Sequence, residues 1–266
     1  MLKKLVWSAL LIVLLPPLWY LADLPDTSAL RMENPKSSAI QTLREEQVRE
    51  KGGNPHSSMQ WRGLDQISPH LAHAVVLSED DTFFQHHGFD FEQLKRAAHT
   101  NWERKRFAFG ASTITQQLAR TLYLSSHKTL LRKAKEALIT RKLEKTLSKK
   151  RILELYLNVV EWGPQVYGAE AASQHFFNKP ALELTPEEAI SLAVILPSPR
   201  RLNPLSDSGF MVRRKTTLYG RMVMANYIPP APPPEVETSP TESIDSEPVS
   251  TDEEETSPAE SADEQN

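Results

Sequence analysis

A short acidic and aromatic segment, residues 79–88, contains the residue types of an acid–base site. It reads Glu-Asp-Asp-Thr-Phe-Phe-Gln-His-His-Gly and follows an apolar stretch at helical spacing. An acidic pair in that place can simply be a solvated helix end. The alternative makes Glu79 a general base, because Phe83 and Phe84 can supply the apolar wall that raises a carboxyl pKa towards neutrality. Adjacent histidines point to opposite sides, and no HExxH spacing occurs, so no zinc site is expected.

A polar run, residues 110–117, follows with the sequence Gly-Ala-Ser-Thr-Ile-Thr-Gln-Gln. Thr113 and Gln116 have the spacing of a capping box at a helix start. Several further hydroxyl and amide groups exceed what capping needs. They suit a sugar or phosphate ligand, and a helix N-terminus favours an anion. The residues alone leave both interpretations open.

A series of cations comes next, with one acidic residue among them: Arg120, Lys128, Arg132, Lys133, Lys135 and Glu136. Arg132 and Glu136 are four residues apart and can pair across a helix surface. The alternative is a cationic pocket for a pyrophosphate, in which Glu136 orients the cations or holds a divalent ion. Ser125 and Lys128 fit a Ser-x-x-Lys nucleophile motif, but no Ser-x-Asn or Lys-Thr-Gly companion follows, so we reject that match.

Apolar spacing of the helical kind runs from about Ile67 to Tyr227, and no alternation predicts a sheet. Residues 185–188, Thr-Pro-Glu-Glu, predict a helix start with a threonine cap and a proline at the first position. Further helical repeats are predicted from three groups: Leu71, Ala74, Val75 and Ser78; Leu130, Leu131, Ala134 and Leu138; Ile152, Leu155 and Tyr156. Within residues 149–158, Leu153 and Leu157 are expected in the core. The fold class is therefore predominantly α.

The charge is divided along the chain. The 266 residues contain no cysteine and carry a formal net charge of −3. Twelve of the 34 acidic residues, and no basic ones, lie from Glu235 to the end, which leaves 22 acidic against 31 basic residues before it. The body is therefore basic and suits an anionic partner. Residues 229–266 are rich in Pro, Ser and Glu and predict a disordered acidic tail.

An apolar segment, residues 5–22, is just long enough at 1.5 Å per residue to cross a bilayer core of about 30 Å. A cleaved signal peptide is the alternative, but the segment ends in aromatic rather than small residues. Lysines precede it and aspartates follow it, which predicts a cytoplasmic N-terminus of residues 1–4 and export of everything after the anchor. The Pro16-Pro17 pair is expected to kink this helix. Residues 23–68 are interpreted as a connecting region.

In this order, the segments resemble the five signatures of the peptidoglycan glycosyltransferases, which include the transglycosylase domain of bifunctional penicillin-binding proteins. Glu-Asp-x-x-Phe-x-x-His-x-Gly matches from Glu79 to Gly88, and Gly-x-Ser-Thr-Ile-Thr-Gln-Gln matches residues 110–117. Arg-Lys-x-x-Glu and Lys-x-x-Ile-Leu-x-x-Tyr-Leu-Asn match residues 132–136 and 149–158. The closing arginine pair falls on Arg213-Arg214. Arg120-Thr121 replaces the usual Lys-Asn, and Lys128 replaces a frequent arginine; both changes keep the positive charge.

The resemblance implies a lysozyme-like glycosyltransferase domain over residues 69–228 that polymerises lipid II into linear glycan strands. Glu79 would take the proton of the acceptor sugar's 4-hydroxyl, and the cations would stabilise the departing lipid pyrophosphate. Glu136 would position them or bind a possible Mg²⁺; no organic cofactor is expected. The resemblance also implies substrate contacts at Asp80, Phe83, His86, Gly110, Ser112, Thr113, Gln116, Gln117, Arg120, Lys128, Arg132, Lys133, Lys149, Tyr156 and Asn158.

The expected setting is a single-pass inner-membrane protein with its catalytic domain in the periplasm. Its partners would be lipid II, the growing strand, the lipid membrane and other cell-wall synthesis and division proteins, without nucleic acid. The expected enzyme is monofunctional, without a transpeptidase domain. A lytic enzyme of the lysozyme type and a non-catalytic cell-wall scaffold are the alternatives. The cationic cluster argues against the first, because a glycan hydrolase has no pyrophosphate to bind, and the presence of Glu79 and Glu136 argues against the second.

Overall fold

The structure, a computed structural model, describes residues 15–56, 59–105, 112–125 and 129–230, and this part of the chain is predominantly helical, as predicted. The α-helices are α1 (Ala39–Glu50), α2 (Pro69–Glu79), α3 (Phe91–Glu103), α4 (Ile114–Tyr123), α5 (Leu130–Thr146), α6 (Lys149–Val159), α7 (Ala169–Phe177), α8 (Pro186–Ala193) and α9 (Gly209–Met224). Short 3-10 helices cover Ala29–Arg31, Leu64–Gln66 and Ala181–Glu183.

Several helix starts follow directly from local sequence. Thr185 and Glu188 form a capping box at α8, with Pro186 in the first turn, and Thr113 and Gln116 form another at α4. Both capping predictions are confirmed. Serine, threonine or aspartate side chains also accept a backbone N–H at the starts of α1, α3, α5, α6 and α9.

A β-hairpin that the sequence did not predict follows α6. Strand β1 (Glu161–Gly163) pairs antiparallel with β2 (Val166–Tyr167), with Glu161 opposite Tyr167. Gln165 in the turn has φ +64°, and an irregularity interrupts the register. Two such short strands are too brief for alternation to register in a sequence pattern.

Helix α4 lies at the centre and packs against α1, α5 and α6, while α2 packs against α8 and α9. The largest fully buried side chains include Trp162, Tyr156, Leu71, Ile114, Leu118, Ile139, Leu143, Ile152 and Leu155. Leu153 and Leu157 lie in the core as expected. Burial of a large apolar side chain stabilises the fold by roughly 1.5–3 kcal/mol relative to exposure. This core fixes the ends of α2, α4 and α5, where the candidate site lies.

Helix α5 is where predicted, but its apolar repeat does not mark its buried face. Leu130, Leu131 and Leu138 are exposed, whereas Ile139 and Leu143 are buried together with Lys135, Glu136 and Thr140. Helical spacing shows that side chains share a face but not whether that face meets the core. The exposed leucines are therefore a surface feature.

Residues 20–34 lie along α5 and α6. Thr27 donates to the Thr146 hydroxyl at 3.0 Å, and Lys142 donates to the Pro25 carbonyl at 2.7 Å. Arg151 donates to the Leu30 carbonyl at 2.8 Å. Within the interpreted connecting region 23–68, the structure thus has α1, two 3-10 helices and contacts to the domain.

Residues 15–22 are helical, and no helix among the described residues is long and apolar enough to cross a membrane. Four predicted features lie wholly or largely outside the described residues. These are the cytoplasmic residues 1–4, residues 5–14 of the predicted anchor, residues 231–266 of the predicted tail, and the two predicted site residues Gly110 and Lys128.

Candidate active site

Glu79 is the last residue of α2, whose buried residues Leu71, Ala74 and Val75 fix it in the core. Its Oε2 accepts a hydrogen bond from Gln117 Nε2 at 2.8 Å. Its Oε1 is buried and has no hydrogen-bond partner among the residues that the structure describes. A buried carboxylate oxygen without a partner is uncommon in folded proteins, and it leaves Glu79 one site at which it can accept a proton.

Gln117, on α4, is itself held in place. The hydroxyl of Tyr156, which is fully buried on α6, donates to Gln117 Oε1 at 3.0 Å. Burial, and then the charge of Glu79, raise the pKa of Tyr156 well above its ordinary value, so the phenol keeps its proton and remains a donor. The amide of Gln117 is thereby oriented with its NH₂ group towards Glu79.

Burial raises the pKa of Glu79 above its ordinary value, and the charge of Asp80 adds to the effect. The Gln117 hydrogen bond and the charges of Arg214 and Arg120 oppose it. A raised carboxyl pKa is what a general base at neutral pH requires. The expected aromatic wall needs one correction, because Phe84 is 57% exposed and only Phe83 is buried.

Asp80 lies beside the base, but its described contacts are structural. One carboxylate oxygen accepts from the backbone N–H of Ile114 at 3.0 Å, the first residue of α4. The other contacts His86 Nε2 at 2.8 Å, while His86 Nδ1 accepts the Gly88 N–H at 3.1 Å. His86 Nε2 therefore carries the proton and donates to Asp80. These contacts tie the end of α2 to the start of α4.

Gly88 allows the close packing of this loop against α5. Its φ is +90°, and a Cβ atom there would lie 2.9 Å from side-chain carbons of both Thr140 and Glu144. Its carbonyl accepts from the Thr113 hydroxyl at 2.8 Å. Glycine is the residue that tolerates both this backbone conformation and this lack of space.

The polar run at the start of α4 divides into two groups of side chains. Thr113 and Gln116 are buried and engaged in the capping box, and Thr115 donates to Glu144 at 2.5 Å. Gln117 reaches the base, and Ser112 is partly exposed. Capping therefore accounts for Thr113 and Gln116, and their predicted substrate contacts remain predictions.

Glu136, on α5, is almost completely buried and joins two cations. Its Oε2 lies 2.6 Å from an Arg132 guanidinium nitrogen, and its Oε1 contacts Lys133 Nζ. Arg132 and Glu136 pair as one of the two interpretations expected, but the pair is largely buried and does not lie on the helix surface. Arg132 Nε is buried and has no hydrogen-bond partner in the described part of the chain, which leaves a donor for an anion.

A magnesium ion does not fit this arrangement. Both carboxylate oxygens of Glu136 face cations, and a divalent ion there would meet further positive charge. Among the described residues, no three His, Asp or Glu side chains come together as potential metal ligands. The residues around Glu136 favour an anionic ligand.

Of the other predicted site residues, Arg120 acts on the base, whereas Lys149 and Asn158 make contacts within the fold. Arg120 is partly buried on α4 and lowers the pKa of Glu79. Lys149 contacts Glu144 at 2.8 Å and lies over the Phe83 ring at 4.4 Å. Asn158 is buried; its amide donates to the Arg62 carbonyl at 2.8 Å, and its Oδ1 accepts the Arg62 N–H at 2.9 Å. The described contacts of Lys149 and Asn158 are thus within the fold.

A basic pocket beside the base was missed as a site. It has a volume of about 300 Å³ and is lined by Ser78, Val194, Phe210, Arg213, Arg214, Thr217, Leu218 and Arg221. Arg214 Nε is buried and has no partner within residues 15–56, 59–105, 112–125 and 129–230, and Arg221 lies 3.2 Å from Asp81. The arginine pair was visible in the sequence as a signature, but its separation of about 135 residues from Glu79 gave no sign of proximity.

A family model described as Transglycosylase matches residues 45–223, which include all these site residues. The chain belongs to the Transglycosylase family. It is 44% identical over 247 residues to the biosynthetic peptidoglycan transglycosylase of Alcanivorax borkumensis, covering 90% of this chain and 96% of the relative. It is 41% identical over 229 residues to the protein of that name from Azoarcus sp., covering 86% and 97%. It is 44% identical over 193 residues to the biosynthetic peptidoglycan transglycosylase of Nitrosospira multiformis, covering 73% of this chain and 84% of the relative.

Proposed function

We propose that this transglycosylase polymerises lipid II into linear peptidoglycan strands, with Glu79 as the catalytic base. One observation carries the assignment. Glu79 has one oxygen held by Gln117, a second buried oxygen that no described residue contacts through a hydrogen bond, and a pKa raised by burial. The relatives named biosynthetic peptidoglycan transglycosylases support the same reaction.

The reaction begins with proton transfer. The free Oε1 of Glu79 accepts the proton of the acceptor sugar's 4-hydroxyl as that oxygen attacks the anomeric carbon of the growing strand. A new glycosidic bond forms, the bond from that carbon to the pyrophosphate oxygen breaks, and the configuration inverts. The bonding electrons leave with the undecaprenyl pyrophosphate.

The cations stabilise the departing pyrophosphate. Arg132 and Lys133 are oriented by Glu136, and Arg132 presents a buried Nε–H that has no acceptor among the described residues. Donors fixed where charge develops lower the barrier without having to reorganise during the reaction. Arg120 and Arg214 act on the catalytic base. Their charges favour the ionised form of Glu79 and so oppose the rise of its pKa that burial causes.

The substrate's lipid tail supports a location at the membrane. We propose that residues 5–22 anchor the chain in the inner membrane and that the catalytic domain lies in the periplasm. The apolar run, the lysines before it and the aspartates after it support this arrangement. Other cell-wall synthesis and division proteins are proposed as partners in the same compartment.

Labelled lipid II, incubated with the purified full chain in detergent, tests the function. We expect long glycan strands from the wild type and none from Glu79→Gln. Glu183→Gln is the matched control, because Glu183 is exposed and forms no ion pair with a described residue. Intact lipid II together with cleavage of preformed peptidoglycan would indicate a lytic enzyme. No change in either substrate would favour the scaffold.

A further inference from the structure

A second cavity lies on the exposed side of α5 and is not used by the proposed mechanism. It is a groove of about 500 Å³ between the loop before α3 and the second half of α5. Its lining residues, which define the α3–α5 groove, are His87, Phe89, Phe91, Arg141, Glu144 and Lys145. Aromatic walls and cations in one groove indicate a ligand with both an apolar and an anionic part.

The positive charge of the α3–α5 groove is not neutralised. Arg141 and Lys145 are four residues apart, so they are neighbours on the helix surface, and both are exposed. Within the described part of the chain, neither forms an ion pair with a carboxylate. Glu144 is already neutralised, since it accepts from Lys149 at 2.8 Å and from Thr115 at 2.5 Å.

Cations near the end of a helix can also serve only to offset its dipole. That explanation leaves the aromatic walls unexplained. Phe91 is 71% exposed, and its ring centroid lies 6.1 Å from that of Phe89. Leu131 and Leu138 are exposed and lie fourteen and seven residues before Lys145 on α5. The side of α5 that carries Lys145 therefore also carries exposed apolar side chains.

We propose that the α3–α5 groove binds the headgroup of an anionic glycerophospholipid. The lipid phosphate lies between Arg141 and Lys145, and the glycerol with the first methylene groups packs against Phe89 and Phe91. Charge complementarity selects an anionic over a zwitterionic headgroup. The exposed leucines of α5 continue the apolar surface on which the acyl chains would lie. The site goes beyond the polymerase reaction and does not depend on it.

Native mass spectrometry of the full chain, released from a non-ionic detergent, tests the site by counting bound lipids. We expect phosphatidylglycerol to bind more tightly than phosphatidylcholine. Arg141→Gln with Lys145→Gln should weaken phosphatidylglycerol binding roughly 30-fold, since each of the two basic residues near an anionic lipid surface contributes about 1 kcal/mol and about 1.4 kcal/mol corresponds to a ten-fold change in affinity. The matched control, Lys36→Gln with Lys51→Gln, removes the same charge from exposed positions elsewhere and should leave binding unchanged.

A second variant separates a lipid from a free anion. Phe91→Ser alters an exposed side chain, so it should fold, and it should weaken phosphatidylglycerol binding without changing any binding of inorganic phosphate. The circular dichroism melt of each variant checks the fold. Equal binding of the two phospholipids would overturn the proposal. So would wild-type binding by the double variant, or inorganic phosphate binding as tightly as phosphatidylglycerol.

Discussion

Removal of the Gln117 side-chain amide tests whether this residue sets the acidity of the base. Gln117 Nε2 donates to Glu79 Oε2 at 2.8 Å, and this bond favours the ionised carboxylate. In Gln117→Leu the bond is lost while the side-chain volume is nearly kept. The pKa of Glu79 should then rise further, so a smaller fraction of the enzyme has an ionised base at any pH on the acid side of the profile.

The magnitude follows from the chemistry of the contact. A hydrogen bond to a charged group contributes about 1.5–3 kcal/mol, and 1.36 kcal/mol corresponds to a ten-fold change in rate. At the lower end of that range, a roughly ten-fold loss of rate is expected on the acid limb of the pH–rate profile. Tyr156→Phe should shift the limb in the same direction by less, because it leaves Gln117 in place and removes only the bond that orients it.

The assay is the initial rate of lipid II polymerisation as a function of pH. In Gln117→Leu the acid limb should move to higher pH, and the deficit should shrink as the pH rises. Glu183→Gln serves again as a control with an unshifted profile. An unchanged limb, or one displaced to lower pH, would refute the assigned role of Gln117. A uniform loss at every pH would indicate that Gln117 acts on binding rather than on the base.

Three further predictions concern the surroundings of the base. Glu136→Gln should reduce polymerisation strongly and destabilise the fold by about 3 kcal/mol, because Arg132 and Lys133 lose their buried counter-charge. Denaturant titration measures the free energy of unfolding, and a wild-type value would contradict this prediction. Asp80→Ala should lower the free energy of unfolding by about 1–3 kcal/mol, because the Ile114 N–H at the start of α4 loses its acceptor. The same titration detects this loss, and an unchanged midpoint would show that the Asp80–Ile114 hydrogen bond does not stabilise the fold. Dialysis against EDTA should leave the polymerisation rate within about two-fold, since protein cations replace a metal as the source of charge stabilisation; restoration by Mg²⁺ of a lost activity would show the opposite.

Local sequence patterns predicted those parts of the site that lie within a single helix. The capping boxes at Thr113 and Thr185 and the Arg132–Glu136 pair join residues three or four apart, and each is present. Such spacings fix geometry because a helix brings these side chains together whatever the rest of the fold does.

The contacts that tune the base could not be predicted in this way. Gln117 and Arg214 lie 38 and about 135 residues from Glu79 along the chain, and tertiary packing brings them to it. The short hairpin at Glu161–Tyr167 and the outward direction of the α5 leucines were missed for related reasons. A two-residue strand has no period, and a period alone does not say which side of a helix is buried.

Folding disfavours the ionised form of the Glu79 carboxyl group, because that group is buried. Since the pKa of Glu79 is raised in the folded chain, the unfolded chain ionises first, and stability falls as the pH rises from the ordinary glutamate range through the folded pKa. Below that window both states are protonated, and the full stability is present. Glu79→Gln imitates the protonated form, so the variant should melt at a higher temperature than the wild type above the window and at the same temperature below it. Equal melting temperatures above the window would mean that Arg120 and Arg214 fully offset the burial of the charge.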